Sequence, residues 1–336
     1  MIRQSVEGET TLRWLLQPIT EHLSHPATTE VVVNQPGKVG VEQGGRWSWH
    51  DVPSLNADAL EAIAILSARI TGKNISRDVP SCVSLLPDGQ RIKMLLPPAV
   101  PARMVSLCIR RRALSFTPTL EWLAETGYFE LLDPTLDWPA YFRRAVHGTA
   151  AKKPRPIIVS GEVGSSKTTF AEALLRAIPL DQRICSVEGS PEWLDLPHPN
   201  WQPFYFDEAQ PGSATKRVQD AMKSRPDWVP FQELNGSEAW AYERALKAGF
   251  RGITTAHSDT ARGVLKAVAS MIQQSEEGRH LDREHIVAEL RLYIGLIVHV
   301  MRIDPTQPGE SSKYRVTEVV ELGPTEREDK IVSCRH

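Results

Sequence analysis

The chain has 336 residues, of which 41% are hydrophobic and 24% are charged. This length allows about two domains, and the composition excludes a chain that is disordered throughout. Its 39 basic and 41 acidic residues give a formal charge of -2. This near balance excludes the strongly basic surface of a dedicated duplex-binding protein, so no direct sequence-specific binding of nucleic acid is expected.

Hydropathy and cysteine spacing narrow the class of protein further. The longest apolar run, residues 292–301, is about half as long as a membrane-spanning helix requires. The N-terminal residues lack the long apolar stretch of a secretory signal, which predicts a cytoplasmic protein. The 4 cysteines form no Cys-x-x-Cys pair, so neither a zinc ribbon nor a redox pair is expected.

The first third of the chain mixes helix and strand signals without strict alternation. Leucine and isoleucine at helical spacing predict a helix over residues 11–23, and Ser54 is a residue able to cap a second helix. Strands are predicted around residues 31–33, 39–41, 47–49 and 104–109. A hairpin of two further strands is predicted with its turn at residues 87–89. The pattern predicts a small α+β domain over residues 1–112, followed by a linker and a helix over 113–138.

From residue 139 to residue 336 the pattern changes, because apolar strands now alternate with helices. Strands are predicted over residues 156–160, 182–187, 228–234, 252–256, 294–303 and 314–322. Such alternation predicts an α/β domain with a mostly parallel sheet, whose ligand lies at the carboxyl ends of the strands.

A glycine-containing loop follows the first of these strands and precedes a helix predicted over residues 167–177. Loops of this kind bind phosphate through backbone N–H groups, a lysine that reaches the β- and γ-phosphates, and a hydroxyl that holds Mg²⁺. Lys167 and Thr168 fit the last two roles, but Ser166 stands where the strict pattern has glycine. Because serine can adopt helical φ and ψ, we expect the loop to form. The candidate phosphate-binding residues are Gly161, Glu162, Val163, Gly164, Ser165, Ser166, Lys167, Thr168 and Thr169.

Three further candidates each end a predicted strand downstream of this loop. Glu188 and Glu233 are carboxylates, which are suited to hold the water shell of Mg²⁺ or to polarise an attacking water. His257 follows an apolar strand in the same way. Any one of these residues alone is more often a surface or core residue, but three in this order favour a catalytic site.

Arginines cluster at the end of the first predicted domain. Arg110, Arg111 and Arg112 are consecutive, and Arg103 lies just upstream. The run is either a solvated group of charges at the end of a strand or a set of guanidiniums placed against phosphate, for which arginine is geometrically suited. The residues alone leave both interpretations open.

Taken together, these segments resemble the type IV secretion traffic ATPases, the VirB-eleven class of the type II/IV secretion NTPase superfamily. The resemblance covers residues 10–323. TEVVVNQPGKVGVEQGGRW and MVSLCIRR resemble the first domain of that family. The segment GEVGSSKTTF is similar to its Walker A loop, RICSVEGSPEW to its Asp box, RPDWVPFQELNG to its Walker B segment and GFRGITTAHSD to its His box.

The resemblance implies a small α+β N-terminal domain joined by a linker to a RecA-like P-loop NTPase domain. It implies a homohexameric ring that hydrolyses ATP with Mg²⁺ at the cytoplasmic face of a bacterial inner membrane, as a peripheral protein. There it would power substrate export or pilus assembly with other type IV secretion ATPases, a coupling protein and inner-membrane components. Nucleotide would lie between the domains, where the arginine cluster could reach it, and Arg251 is a further candidate.

The resemblance also implies a role for each candidate. Thr168 and Glu188 would hold Mg²⁺ and its waters, Glu233 would orient the attacking water, and His257 would sense the γ-phosphate. Besides Ser166, the chain departs from the family pattern at Gly189, Gln232, Asn235, Phe250 and Asp259. These departures leave open the alternative of a nucleotide-binding ring platform with little or no hydrolysis. A type II secretion or type IV pilus motor is a second alternative within the superfamily, although many type II secretion members carry a tetracysteine zinc insert that this sequence lacks.

Overall fold

The computed structural model describes residues 8–110, 117–149, 153–191, 193, 195–207, 210, 212–304 and 312–334. It forms two compact units, Met1–Thr117 and Pro118–His336. Residues of the segment that was predicted as linker and helix, among them Leu120 and Trp138, belong to the hydrophobic core of the second unit. The sequence-based assignment of domains to 1–112, 113–138 and 139–336 otherwise stays a prediction.

The first unit is an antiparallel sheet with helices packed against it. Its strands run in the order β3-β2-β1-β6-β5-β4, and every neighbouring pair is antiparallel. The elements are α1 (Glu9–Leu16), α2 (Thr20–Ser24), β1 (Thr28–Gln35), β2 (Lys38–Gln43), β3 (Arg46–Asp51), α3 (Ala57–Arg69), β4 (Ser81–Leu85), β5 (Arg91–Leu95) and β6 (Ser106–Arg110).

Two local predictions for this unit need correction. The helix expected over residues 11–23 is divided by a 3-10 turn at Gln17–Ile19, in which Pro18 lies, because proline cannot donate the backbone hydrogen bond of a continuous helix. Helix α3 is capped by Asn56 and not by Ser54, since the Asn56 side chain accepts a hydrogen bond from the backbone N–H of Ala59.

The second unit has strands and helices that alternate along most of the chain. Its helices are α4 (Leu120–Glu125), α5 (Trp138–His147), α6 (Lys167–Arg176), α7 (Ser213–Lys223), α8 (Glu238–Lys247), α9 (Gly263–Ile272) and α10 (Arg283–Tyr293). Its strands are β7 (Ile157–Gly161), β8 (Ile184–Glu188), β9 (Trp201–Tyr205), β10 (Phe231–Leu234), β11 (Ile253–His257), β12 (Leu296–Ile303), β13 (Lys313–Glu321) and β14 (Lys330–Cys334).

The strand order of the second sheet is β14-β13-β12-β7-β11-β10-β8-β9. The six strands from β12 to β9 are parallel, whereas β13 and β14 are antiparallel additions. The prediction of a mostly parallel sheet is therefore confirmed. Strands β7 and β8 are buried along their whole length, as expected for strands covered on both faces. Parallel pairing brings the carboxyl ends of β7, β8, β10 and β11 to one edge.

Apolar side chains on the two faces of this sheet form separate buried clusters. Among the residues described, no helix is long and apolar enough to cross a membrane.

Candidate active site

The predicted phosphate loop connects β7 to α6 at the carboxyl edge of the second sheet. Gly161 has φ +154°, and a Cβ at this position would collide with the carbonyl oxygen of Val300. Gly164 has φ +75°, a left-handed conformation that glycine adopts at little cost. Both glycines are therefore required by the geometry of the loop.

Ser166, the last residue of the loop, does not have the helical conformation that the sequence analysis expected. Its φ of 72° and ψ of 28° are left-handed, a conformation that costs a residue with a Cβ about 1–2 kcal/mol. The Ser166 hydroxyl makes no capping hydrogen bond to helix α6. It lies instead 2.8 Å from the hydroxyl of Tyr128, and burial raises the pKa of Tyr128 to about 12.

Lys167, His257 and Glu233 are joined by hydrogen bonds. The Lys167 ammonium donates to the carbonyl oxygen of Glu162 at 2.7 Å and lies 3.2 Å from His257 Nδ1. His257 Nε2 lies 2.8 Å from Glu233 Oε1. Because an ammonium can only donate, Nδ1 accepts and Nε2 carries the proton that is donated to the carboxylate. The structure thus brings together three of the residues that the sequence analysis singled out.

Two residues that depart from the family pattern, Asn235 and Gln232, make side-chain hydrogen bonds in this region. The sequence analysis did not predict these bonds. Asn235 Nδ2 donates to Glu233 Oε2 at 3.2 Å. The side-chain oxygen of Gln232 accepts the backbone N–H of Gly189 at 2.8 Å, and so links the ends of β10 and β8. The sequence shows which residues lie next to Glu233 and Glu188, but it does not show which groups their side chains contact.

The environment of Glu188 differs from the one expected for a metal ligand. Its side chain is fully buried, and its carboxylate accepts hydrogen bonds from the Ser186 hydroxyl at 2.6 Å and from the Trp193 amide at 3.4 Å. In this conformation Glu188 presents no exposed oxygen to Mg²⁺ or to its water shell.

Thr168 is the predicted Mg²⁺ residue that the geometry fits. It is half-buried in the first turn of α6, where a hydroxyl can lie beside phosphates bound by the helix N-terminus. Among the described residues there is no group of three or more His, Cys, Asp or Glu side chains that could hold a metal ion. A magnesium ion bound by substrate phosphates and waters does not need such a group.

The candidate arginines are placed in different parts of the chain. Arg103 and Arg110 are exposed in the first unit, before and at the end of β6, while Arg111 and Arg112 lie outside the described residues. Arg251 needs correction as a nucleotide-binding candidate. It donates to Gln182 at 3.0 Å and stacks over Trp228, and it precedes β11, at the opposite edge of the sheet from His257.

A buried histidine beside the loop escaped the sequence analysis because its segment is typical of a core strand. His299 on β12 is fully buried, and its Nδ1 lies 2.9 Å from the Ser160 hydroxyl. Burial lowers the pKa of His299 to about 4, with a further lowering by Lys167 that Asp259 opposes. His299 is therefore neutral near pH 7 and adds no positive charge next to Lys167.

As a whole, the site combines the N-terminus of a helix with a carboxylate that is partly exposed to solvent. The N-terminus of α6 and the ammonium of Lys167 supply positive potential for phosphate oxygens. The side chains of Glu233 and His257 are 34% and 36% exposed, so a water molecule can reach the carboxylate. This arrangement is suited to phosphoryl transfer to water.

Known proteins are similar to this chain over most of its length. The profile of the type II/IV secretion system protein family matches residues 16–294. The type IV secretion system protein VirB11 of Brucella suis biovar 1 (strain 1330) is 31% identical over 321 residues, which cover 88% of this chain and 87% of that protein. Protein VirB11 of Agrobacterium fabrum is 29% identical over 317 residues, covering 87% of this chain and 90% of its own.

Solved structures share the fold of this chain. The X-ray structure of the Legionella pneumophila ATPase DotB has a TM-score of 0.60 and 14% identity, and covers 92% of this chain and 81% of that chain. The predicted fold class, an α+β N-terminal part with a RecA-like part that carries a mostly parallel sheet, is confirmed.

Proposed function

Because the chain belongs to the type II/IV secretion system protein family, we propose that it hydrolyses ATP and thereby powers substrate export or pilus assembly by a bacterial type IV secretion system. The resemblance to type IV secretion traffic ATPases that the sequence indicated is confirmed. The observation that carries the proposed activity is the hydrogen-bonded series Lys167–His257–Glu233 at the end of the phosphate loop.

The phosphate loop binds the nucleotide in this proposal. Backbone N–H groups at the start of α6 and the ammonium of Lys167 bind the β- and γ-phosphates. Lys167 is only 6% exposed, and low exposure strengthens its attraction for phosphate oxygens. The lysine exchanges its present acceptors, the Glu162 carbonyl and His257, for phosphate oxygens when ATP enters.

Glu233 acts on the attacking water. The water oxygen forms a bond to the γ-phosphorus while the bond between that phosphorus and the β–γ bridging oxygen breaks, and Glu233 accepts the proton of the water. His257 and Asn235 hold one carboxylate oxygen each, so the orientation of the base is fixed before reaction. His257 contacts both Glu233 and Lys167, which makes it the residue able to report the γ-phosphate to the base.

Magnesium neutralises developing charge on the phosphates when it is bound. We assign Thr168 to hold the ion together with substrate oxygens. Glu188 is left out of this shell because its carboxylate is occupied inside the protein.

We also propose that six chains form a ring at the cytoplasmic face of the inner membrane, with the partners that the resemblance implies. Arginines of the first unit would complete the nucleotide site, with Arg103, Arg110, Arg111 and Arg112 as candidates. Mass measurement with Mg-nucleotide tests the ring, and we expect six times the mass of one chain. Replacing each arginine in turn by alanine should find one position that lowers turnover by about 10³ or more.

Phosphate release from Mg-ATP, measured beside nucleotide titration, tests the proposed activity. Lys167→Ala should lose both binding and turnover, because the phosphates lose their fixed cation. Lys266→Ala is the matched control, since Lys266 is an exposed lysine on α9, and should behave as wild type. A wild-type protein that binds ATP but releases phosphate no faster than Lys167→Ala would be a platform and not an ATPase.

A further inference from the structure

Tyr128 is a fixed point beside the phosphate loop. It is 2% exposed, its amide donates to the Leu123 carbonyl, and its carbonyl accepts the amide of Val316 at 2.7 Å. Its ring stacks on Tyr314 with centroids 6.2 Å apart and tilts against Trp122 at 5.9 Å. Backbone and ring are held from several sides, so the hydroxyl occupies a defined position.

The partner of this hydroxyl is Ser166, which precedes helix α6. A serine at this position commonly accepts hydrogen bonds from the second and third amides of its helix, here those of Thr168 and Thr169. Those amides belong to the N-terminal group that binds phosphate. The Ser166 hydroxyl lies 2.8 Å from Tyr128 and caps neither amide.

The same contact bears on the backbone of the loop. Ser166 has φ 72°, which favours glycine over residues with a Cβ. The neighbouring glycines need no such support, whereas Ser166 keeps the left-handed conformation with its side chain attached to a rigid tyrosine.

From these contacts we propose that Tyr128 is a positioning residue for the phosphate loop. Its hydroxyl, acting through Ser166, holds the last loop residue in the left-handed conformation and keeps the serine from capping the amides that bind nucleotide phosphates. This inference deepens the proposed function and rests on it, because the ligand of the loop is taken to be a nucleoside di- or triphosphate.

A double-mutant cycle tests the proposal: wild type, Tyr128→Phe, Ser166→Gly and the double variant are each titrated with Mg-ADP, and Ser166→Ala is titrated beside them. Tyr128→Phe should weaken ADP binding at least fivefold when Ser166 is present, because the serine is released. With glycine at position 166 the same change should alter binding less than twofold. Ser166→Ala keeps the strained backbone but loses the hydroxyl, and should bind ADP more weakly than Ser166→Gly.

Tyr141→Phe is the matched control. The Tyr141 hydroxyl donates to Glu321 at 2.7 Å, so this variant also loses a tyrosine hydrogen bond in the same unit, and it should keep wild-type ADP affinity. Amide hydrogen exchange of nucleotide-free protein gives a second readout. Peptides that cover residues 162–166 should exchange at least threefold faster in Tyr128→Phe than in wild type or Tyr141→Phe.

Equal weakening of ADP binding by Tyr128→Phe with serine and with glycine at position 166 would overturn the proposal, since Tyr128 would then act on the fold alone. Unchanged affinity and unchanged exchange in Tyr128→Phe would overturn it as well. If wild type and Lys167→Ala bind ADP equally, the proposed function fails first, and the exchange readout alone decides whether Tyr128 positions the loop. If Lys167→Ala abolishes binding while Tyr128→Phe has no effect, the proposed function stands and this inference falls.

Discussion

Glu233 and Glu188 occupy equivalent places in the sequence pattern but different environments in the molecule. They lie at the ends of β10 and β8, which are neighbours in the sheet. Glu233 is 34% exposed and contacts His257 and Asn235, whereas Glu188 is fully buried and contacts Ser186 and Trp193. A carboxylate at a strand end is therefore available for chemistry only where the following chain leaves it open.

The chain after β8 explains the difference between the two carboxylates. It turns back so that Trp193, itself fully buried, directs its amide at Glu188. After β10 the chain instead enters helix α8, and Asn235 leaves the carboxylate of Glu233 accessible from one side. Burial of Glu188 makes its hydrogen bonds part of the folded structure, whereas partial exposure of Glu233 leaves its carboxylate accessible to water.

The largest expected effect separates Glu233 from the rest of the site. Glu233→Gln keeps the size of the side chain but removes the charge that accepts the proton in the proposed reaction, so turnover should fall by about 10²–10⁴. ATP affinity should change less than threefold, because in the proposed mechanism the carboxylate acts on the water and not on the bound nucleotide. Phosphate release and nucleotide titration on the same samples check both parts, and full activity of Glu233→Gln would remove it as the base.

The same change at Glu188 should affect folding instead. Glu188→Gln leaves one acceptor oxygen for the two donors that meet the carboxylate, the Ser186 hydroxyl and the Trp193 N–H, which should lower the free energy of unfolding by about 1–3 kcal/mol. Urea denaturation measures this loss, and Ser186→Ala should destabilise in the same direction. Raising Mg²⁺ should not restore turnover; recovery with Mg²⁺ would show that Glu188 faces the metal ion in the nucleotide-bound state.

His299 extends the comparison to a second buried group. Its folded pKa of about 4 lies below the unfolded value of about 6.5, so the unfolded chain binds more protons between these values and stability falls as pH falls. Between pH 7 and pH 5 the loss should be about 2 kcal/mol. Urea denaturation at both pH values should show this loss shrinking in His299→Gln but not in His285→Gln, whose histidine is exposed on α10.

The smallest expected effect concerns how Glu233 is held. Asn235→Ala removes the amide that donates to Glu233 Oε2, while the bond from His257 remains. Turnover should fall about two- to fivefold, the effect of one exposed hydrogen bond, and unfolding should stay as in wild type. A fall as large as that of Glu233→Gln would mean that Asn235 takes part in the reaction directly.

Most of the fold could be predicted from the sequence because its signals are local. The apolar runs that become β7, β11 and β12 are visible without any partner. Strand β9 was missed because Pro203 interrupts its pattern, and proline is tolerated there because β9 lies at the edge of the sheet. Strand β14, also at an edge, has a weak apolar pattern that identifies no strand by itself.

The sequence by itself located the predicted phosphate loop, its lysine and the residues that end β10 and β11, and the rule that parallel strands carry their carboxyl ends to one edge predicted that they would lie near one another. Only the tertiary structure decided which of these residues reach one another. The contact of Tyr128 with Ser166 and that of Arg251 with Gln182 join segments distant in the chain. Glu188 is buried by the path of the chain after β8, which its sequence pattern does not show. Periodicity reports which face of an element is apolar, whereas hydrogen-bond partners and exposure are set by whatever packs against it.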